Sequence, residues 1–369
     1  MTIGEFVAYF QSELASLEWY DSREVRSMAS YLLKELAGVE SYKLIVDPQM
    51  ELPEGVAASL IGCTDKISQG EPLQYALGYE YFCGHKFKVA PGVLIPRPET
   101  EELVNLIFAD RTSDSLPLPS IQELPAGSSQ LHILDICTGS GCIAWSLAAG
   151  ISGSRVYGCD ISDQALAIAR SQEIESVACR QQIPTQDAGL QGENRSLLSL
   201  FKCDIMDVSA PSIIWQETCG EQTSSSSCTG ADSFGGFDII VSNPPYVCEE
   251  ERSRMRANVL EHEPELALFV PDDDPLKFYR RIARLSGRGF ECDGEKNAGA
   301  NGAGAQCAGA QCAGRHLLKE GGMLYFEVNE RFAHEVADVM RQAGLVDCQV
   351  VRDLSGKERM VKGRRALSR

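Results

Sequence analysis

The chain has 369 residues, 44% of them hydrophobic and 23% charged. That is enough for about two ordinary globular domains, and it excludes disorder as the overall state. Acidic residues outnumber basic ones 52 to 34, for a net charge of -18, which argues against whole-chain attraction to nucleic-acid phosphates or anionic lipid. There is no apolar run of spanning length, and the first residues carry Glu5 and no basic stretch, unlike a secretory leader. The fourteen cysteines are scattered, with no Cys-x-x-Cys pair and no zinc-like spacing to histidine. They read as reduced thiols of a cytoplasmic protein with no metal site.

In chain order, Thr2 and Glu5 form a capping-box pattern ahead of Phe6, Phe10, Leu14 and Leu17 on one helical face. Asp21 and Glu24 open a second helix that Gly38 closes, and a third runs from about Pro53 to Ser68. Residues 1–72 are therefore expected to be a small all-α domain. Residues 73–99 are expected to be a β-hairpin broken at Gly84-His85, followed by a rigid proline-rich link, Pro91 to Pro98. From residue 100 onward, strands and helices alternate as in an open, doubly wound, mostly parallel sheet. The predicted strands are Leu131–Ile136, Arg155–Cys159, Leu200–Cys203, Phe237–Ser242 and Gly322–Val328, with a closing antiparallel hairpin at Cys348–Asp353 and Met360–Arg364. The total is seven strands. A helix is expected over Asp163–Ala178. Two low-complexity stretches break this rhythm: Ser-rich 218–236, and 287–314 with its tandem Ala-Gln-Cys-Ala-Gly. Both read as disordered insertions.

The segment Asp135-Ile136-Cys137-Thr138-Gly139-Ser140-Gly141 joins a strand to a helix. Its glycines permit close backbone approach to a ligand at the carboxyl end of the sheet. Asp160 ends the next strand, where an acid takes the two hydroxyls of a ribose. A third glycine is missing and no basic residue lies beside the turn, so a nucleoside without phosphates fits better than a dinucleotide. The most specific stretch is Ser242-Asn243-Pro244-Pro245-Tyr246, following the apolar strand 237–241. Asn-Pro-Pro-Tyr in that place is a signature of S-adenosylmethionine-dependent methylation of planar nitrogens. Such nitrogens are poor nucleophiles because their lone pair is delocalised. The Asn243 side-chain oxygen and the Pro244 carbonyl can accept both N–H bonds, the prolines fix the backbone in advance, and Tyr246 can stack on the amide plane.

These stretches, together with Gly70 to Tyr75, Pro91 to Glu101, Glu263 to Leu268 and Asp274 to Arg280, resemble the HemK family of release-factor glutamine methyltransferases over nearly the whole chain. Asn-Pro-Pro-Tyr alone is shared with DNA and RNA amino-methyltransferases, whereas Ile-Pro-Arg-Pro-Glu-Thr-Glu narrows the match to the glutamine-modifying branch. The resemblance implies transfer of a methyl group to the glutamine of the Gly-Gly-Gln tip of class-1 peptide chain release factors. It implies a helical domain, residues 1–72, that holds the protein substrate, and a monomeric cytoplasmic enzyme with no direct nucleic-acid or membrane partner. By position, Cys137, Thr138, Gly139, Ser140 and Gly141 would hold the methionine part of S-adenosylmethionine, Asp160 its ribose and Ile205 its adenine. Asn243, Pro244, Pro245 and Tyr246 would meet the substrate, with Asn243 touching the cofactor as well and Asn243, Pro244 and Tyr246 forming the catalytic group. Cys137 stands where many members have glycine, and Ile205 where some have an aromatic residue. Three other readings stay open on sequence: glutamine methylation of a ribosomal protein, N-methylation of a nucleic-acid base, and a non-catalytic adaptor on the same fold.

Overall fold

The computed structural model describes residues 1–112, 130–179, 196–219, 234–289 and 316–367. The described chain forms two compact units, one made of residues 1–80, 88–95 and 250–265, the other of the remainder.

The helical unit contains α1 (Ile3–Glu13), α2 (Ser22–Ala37), α3 (Lys43–Val46), α4 (Glu54–Ser68) and α5 (Leu73–Leu77). The Thr2–Glu5 capping box forms in both directions, at 2.8 and 3.2 Å, which satisfies two of the free amides at the start of α1. The Asp21 carboxylate caps α2, and Gly38 ends it at φ +63°. Ile3, Phe6, Phe10, Val25, Leu32, Leu33, Leu60 and Ile67 fill the core between these helices. Residues 74–77 are helical, not part of the hairpin as expected, because Pro72 opens a short turn of helix that Gly78 closes at φ +83°. A second correction is larger. Residues 250–265, expected within the sheet domain, belong to the helical unit. In that pass Arg256 pairs with Glu24 at 2.5 Å, Asn258 Nδ2 donates to the Tyr20 hydroxyl at 3.2 Å, and the Ile95 amide donates to Glu263 Oε2 at 3.2 Å. Gly70 has φ +95°, a conformation that favours glycine, and the His262 imidazole lies 3.2 Å from where a Cβ would stand, so the space there is tight as well.

The expected hairpin forms from β1 (Tyr79–Phe82) and β2 (His85–Lys88), of which Tyr81–Phe87 belong to the other unit, as does α6 (Pro98–Thr112) after the proline link. The main sheet begins with β3 (His132–Ile136), α7 (Cys142–Gly150), β4 (Arg155–Asp160), α8 (Asp163–Arg170), β5 (Val177–Cys179), β6 (Ser196–Lys202), α9 (Ala210–Cys219) and β7 (Phe237–Ser242). After the small strand β8 (Val247–Cys248) and the helix α10 (Ala257–His262) of the helical unit come α11 (Glu265–Leu268), β9 (Phe269–Val270) and α12 (Lys277–Gly287). The chain then completes the sheet with β10 (Leu318–Glu327), α13 (Ala333–Gln342), β11 (Leu345–Arg352) and β12 (Glu358–Arg365).

The strand order is β11-β12-β10-β7-β3-β4-β6-β5, with β12 antiparallel to both neighbours and the other described pairings parallel. Alternate residues of each strand face opposite layers: Ile133, Ile239 and Tyr325 pack with α6, α7 and α8, whereas Leu134, Ile240 and Phe326 pack with α9, α12 and α13. This is the doubly wound arrangement expected. The sheet has eight strands rather than seven, because Val177–Cys179, whose first two residues were expected to end a helix, pairs in parallel with β6.

Most of 218–236 and 287–314 lies outside the described residues. Their edges do belong to the fold: Thr218 is buried in α9, Phe234 stacks within 5.1 Å of His132, and Gly287 ends α12 against the Ala343 carbonyl.

Candidate active site

Four loops leave the sheet at one level. Ile136 is in register with Cys159 on one side and Ser242 on the other, and Ser242 with Phe326 beyond it. The residues that follow these positions, Cys137, Asp160, Asn243 and Glu327, are therefore brought together at the carboxyl edge of four adjacent parallel strands, where such sheets bind ligands. The Ser242 hydroxyl donates to the Ile136 carbonyl at 2.6 Å and ties the two central loops to each other.

The turn after β3 is built for close approach. Cys137, Gly139 and Gly141 all have positive φ, at 62, 55 and 83°. Thr138 donates its amide to Cys159 O at 3.0 Å and its hydroxyl to Asp135 Oδ2 at 2.5 Å. Gly158 makes room for it, since a Cβ there would lie 3.0 Å from Thr138 Oγ1 and 2.7 Å from Leu200. Gly141 has its own steric reason: a Cβ would stand 2.9 Å from the Trp145 ring. Thr138, Ser140 and Gly141 are buried and shape the turn, whereas Cys137 and Gly139 are its partly open members. A Cβ at Gly139 would meet nothing within 4 Å, so the space above the turn is open.

Asp160 orients itself on this turn. Its Oδ2 accepts the Gly139 amide and its Oδ1 the Ser162 amide, both at 2.9 Å. Burial raises its pKa, and these amides partly offset that effect. Asp135 is wholly buried, its Oδ1 has no hydrogen-bond partner, and burial pushes its pKa up to about 7 against the Thr138 hydroxyl bond. An open-topped glycine turn with an acid aimed across it suits a hydroxyl-bearing nucleoside with no phosphate. Ile205 lies in the neighbouring core, 4% exposed, so its side chain is already covered by protein. No group of histidine, cysteine or acidic residues among the described residues is arranged to hold a metal.

Around the Asn-Pro-Pro-Tyr loop the structure adds two residues that the sequence reading did not assign to the site. Asn243 Nδ2 donates to Thr100 Oγ1 at 3.1 Å, Thr100 Oγ1 donates to Glu327 Oε2 at 2.6 Å, and the Tyr246 hydroxyl donates to Glu327 Oε1 at 3.1 Å. The Tyr246 carbonyl accepts from Asn329 Nδ2 at 3.4 Å, and the Tyr279 hydroxyl donates to the Glu327 carbonyl at 3.1 Å. Pro244 and Pro245 are buried, and Asn243 and Tyr246 are half-buried. Burial raises the pKa of Glu327, with the Thr100 and Tyr246 hydroxyls and Arg359 opposing and Glu99 adding to the rise. Burial and the Glu327 charge push the Tyr246 phenol well above its ordinary value. A sequence signal for both residues existed. Thr100 lies inside the Ile-Pro-Arg-Pro-Glu-Thr-Glu stretch, and Glu327 is the one acid in the apolar run Leu324–Val328, where an unpaired charge would be costly.

Residues 6–78 match the family model described as the PrmC N-terminal domain. Residues 154–267, which include the Asn-Pro-Pro-Tyr loop, match that of the Eco57I restriction-modification methylase. Among solved structures, a release-factor-specific protein-(glutamine-N5) methyltransferase from Alicyclobacillus acidocaldarius aligns with 76% of this chain and 100% of its own at 21% identity and a TM-score of 0.32. A release factor glutamine methyltransferase from Flavobacterium psychrophilum is 30% identical over 98% of this chain and 99% of its own. One from Bacteroides thetaiotaomicron is 34% identical over 98% of this chain and 100% of its own. At that identity, end to end, the chain belongs to the release factor glutamine methyltransferase family.

Proposed function

We propose that the protein transfers a methyl group from S-adenosylmethionine to the side-chain amide nitrogen of the glutamine in the Gly-Gly-Gln motif of class-1 peptide chain release factors. The observation that carries this reading is the shared level of Ile136, Cys159 and Ser242. It sets a nucleoside-type turn and an amide-accepting loop side by side, one for the donor and one for the acceptor. When bound, S-adenosylmethionine supplies a sulfonium-activated methyl group. Cys137 and Gly139 would face its methionine part, with Thr138, Ser140 and Gly141 holding the turn in shape, and Asp160 would take the ribose hydroxyls. Ile205 would form part of the adenine wall only where its present cover gives way.

The work of the chain itself is orientation. The Asn243 nitrogen is used on Thr100, which leaves its oxygen to accept one substrate N–H while the Pro244 carbonyl accepts the other. The delocalised lone pair is thereby aimed perpendicular to the amide plane, and buried prolines keep the acceptors from reorganising. Tyr246 is held by its hydroxyl and its carbonyl, so its ring is a fixed platform for that plane. No helix among the described residues is long and apolar enough to cross a membrane. The protein would be a cytoplasmic monomer, with residues 1–72, most of which match the PrmC N-terminal domain model, gripping the release factor.

The test is methyl transfer from labelled S-adenosylmethionine to purified release factor, with mass mapping of the modified residue. Asn243→Ala is expected to lower kcat by about 10²–10³ while sparing most of the affinity for S-adenosylhomocysteine. Methylation at another residue type, or a near-wild-type rate for Asn243→Ala, overturns the reading.

A further inference from the structure

The hydrogen-bond chain Asn243–Thr100–Glu327–Tyr246 has only one consistent direction when Glu327 is ionised. A carboxylate donates nothing, so both oxygens of Glu327 must receive protons, one from Thr100 and one from Tyr246. Thr100 has a single hydroxyl proton. With that proton on Glu327 at 2.6 Å, its oxygen can only accept from Asn243. The amide of Asn243 must then present its nitrogen to Thr100, as found at 3.1 Å, and its oxygen elsewhere. We infer that Thr100 and Glu327 are positioning residues: they fix which end of the Asn243 amide meets the substrate, and they pin the Tyr246 ring by its hydroxyl.

The alternative orientation is the unproductive one. An Asn243 turned about would offer its NH₂ to a substrate NH₂, two donors facing each other. The side chains of Thr100 and Asn243 do not set this choice alone, because a free hydroxyl serves either end of an amide. The buried carboxylate two bonds away removes that ambiguity. Glu327 is 1% exposed and Thr100 3%, so water does not readily substitute for either partner. Glu327 ends β10, whose neighbours β7 and β12 are in register with it. Facing or influencing it are Thr100 and Glu99 of α6, Tyr246, Tyr279 of α12 and Arg359 of β12. Protonation of Glu327 would turn it into a donor and let the whole chain reverse. Burial raises its pKa, so the reversal belongs to the acid side of the activity profile.

This inference rests on the amide-methylating role proposed above, and the experiment separates the two. Thr100→Val keeps the shape and removes the hydroxyl. It should cut kcat about 10- to 100-fold with little change in S-adenosylhomocysteine affinity, and Thr100→Ser should restore most of the rate. Glu327→Gln can accept at one end only. It should also lower kcat, and its residual activity should lose the acid limb that the wild type shows. Selective labelling of asparagine side chains supplies a readout independent of turnover: the Asn243 NH₂ protons should exchange slowly in the wild type and in Thr100→Ser, and fast in Thr100→Val. If Thr100→Val does not fold, Thr100→Ala takes its place, and melting curves accompany every variant. A wild-type enzyme that fails to methylate a release-factor glutamine sinks the functional reading, not this one. Unchanged kcat and unchanged amide exchange in Thr100→Val overturn the inference, as does a Thr100→Ser variant no better than Thr100→Val.

Discussion

Cys137 holds a conformation that most side chains avoid. Its φ of 62° lies in the left-handed region, which costs an ordinary L residue roughly 1–2 kcal/mol. Its sulfur recovers part of this by packing against the core beneath the sheet, and burial pushes the thiol pKa well above its ordinary value, so it stays protonated and unreactive. Two substitutions separate strain from packing. Cys137→Ala loses the sulfur contacts and keeps the strain, whereas Cys137→Gly loses the contacts and releases the strain. The glycine variant should therefore be the more stable of the two by about 1 kcal/mol, as measured by urea denaturation of the cofactor-free protein. Equal stability would mean that the turn is not strained at 137. The sequence carried this residue as a departure from a glycine pattern. The positive φ explains why glycine is the common solution there, and why a small side chain is the tolerable exception.

Among the elements, β4 shows how a single missing Cβ shapes a neighbouring loop. Gly158 lies between Leu200 of β6 and Thr138 of the turn. Gly158→Ala should destabilise the protein by about 1–3 kcal/mol through overpacking, and it should weaken S-adenosylhomocysteine binding because Thr138 anchors the turn. Chemical denaturation and calorimetry check the two parts, and an unchanged binding constant would separate the strand from the turn.

The long elements were legible in the sequence because their caps and apolar periods agree: Thr2 and Glu5 for α1, Asp21 and Gly38 for α2, the apolar run 237–241 for β7. The short ones were not. Val177–Cys179 offers three residues, too few to distinguish a strand from the tail of a helix by period. What ends α8 is tertiary: Gln172 is buried, and its Nε2 donates to the Ser140 carbonyl at 3.1 Å. The helix α9 did carry a local sign, Pro211 in its first turn, which its nearness to the Ser-rich stretch obscured. The candidate site divides in the same way. The backbone-shaped turn and Asn-Pro-Pro-Tyr are local patterns, whereas Thr100 and Glu327 meet only through sheet order.

At the scale of the whole molecule, Gly289 and Leu317, on either side of the residues not described, are both tied to the end of α12. The Gly289 amide donates to the Arg284 carbonyl, and the Leu317 amide to the Leu285 carbonyl at 3.0 Å. A short linker in place of 291–314 should therefore leave turnover unchanged and stability equal or higher by about 1–2 kcal/mol, the loop-closure gain. A fall in melting temperature or in kcat would show that the deleted residues support the fold. The helical unit is discontinuous in a different sense, with a consequence for the order in which the protein is made. Its first 80 residues are synthesised early, but Arg256, Asn258 and Glu263, which bond to Glu24, Tyr20 and Ile95, emerge from the ribosome only after the glycine turn and the Asn-Pro-Pro-Tyr loop have been translated. Chains truncated before residue 250 lack the last segment of the helical unit, and only chains extended past residue 265 contain it whole. The amino-terminal unit thus reaches its finished form late in translation, although nearly all of its sequence comes first.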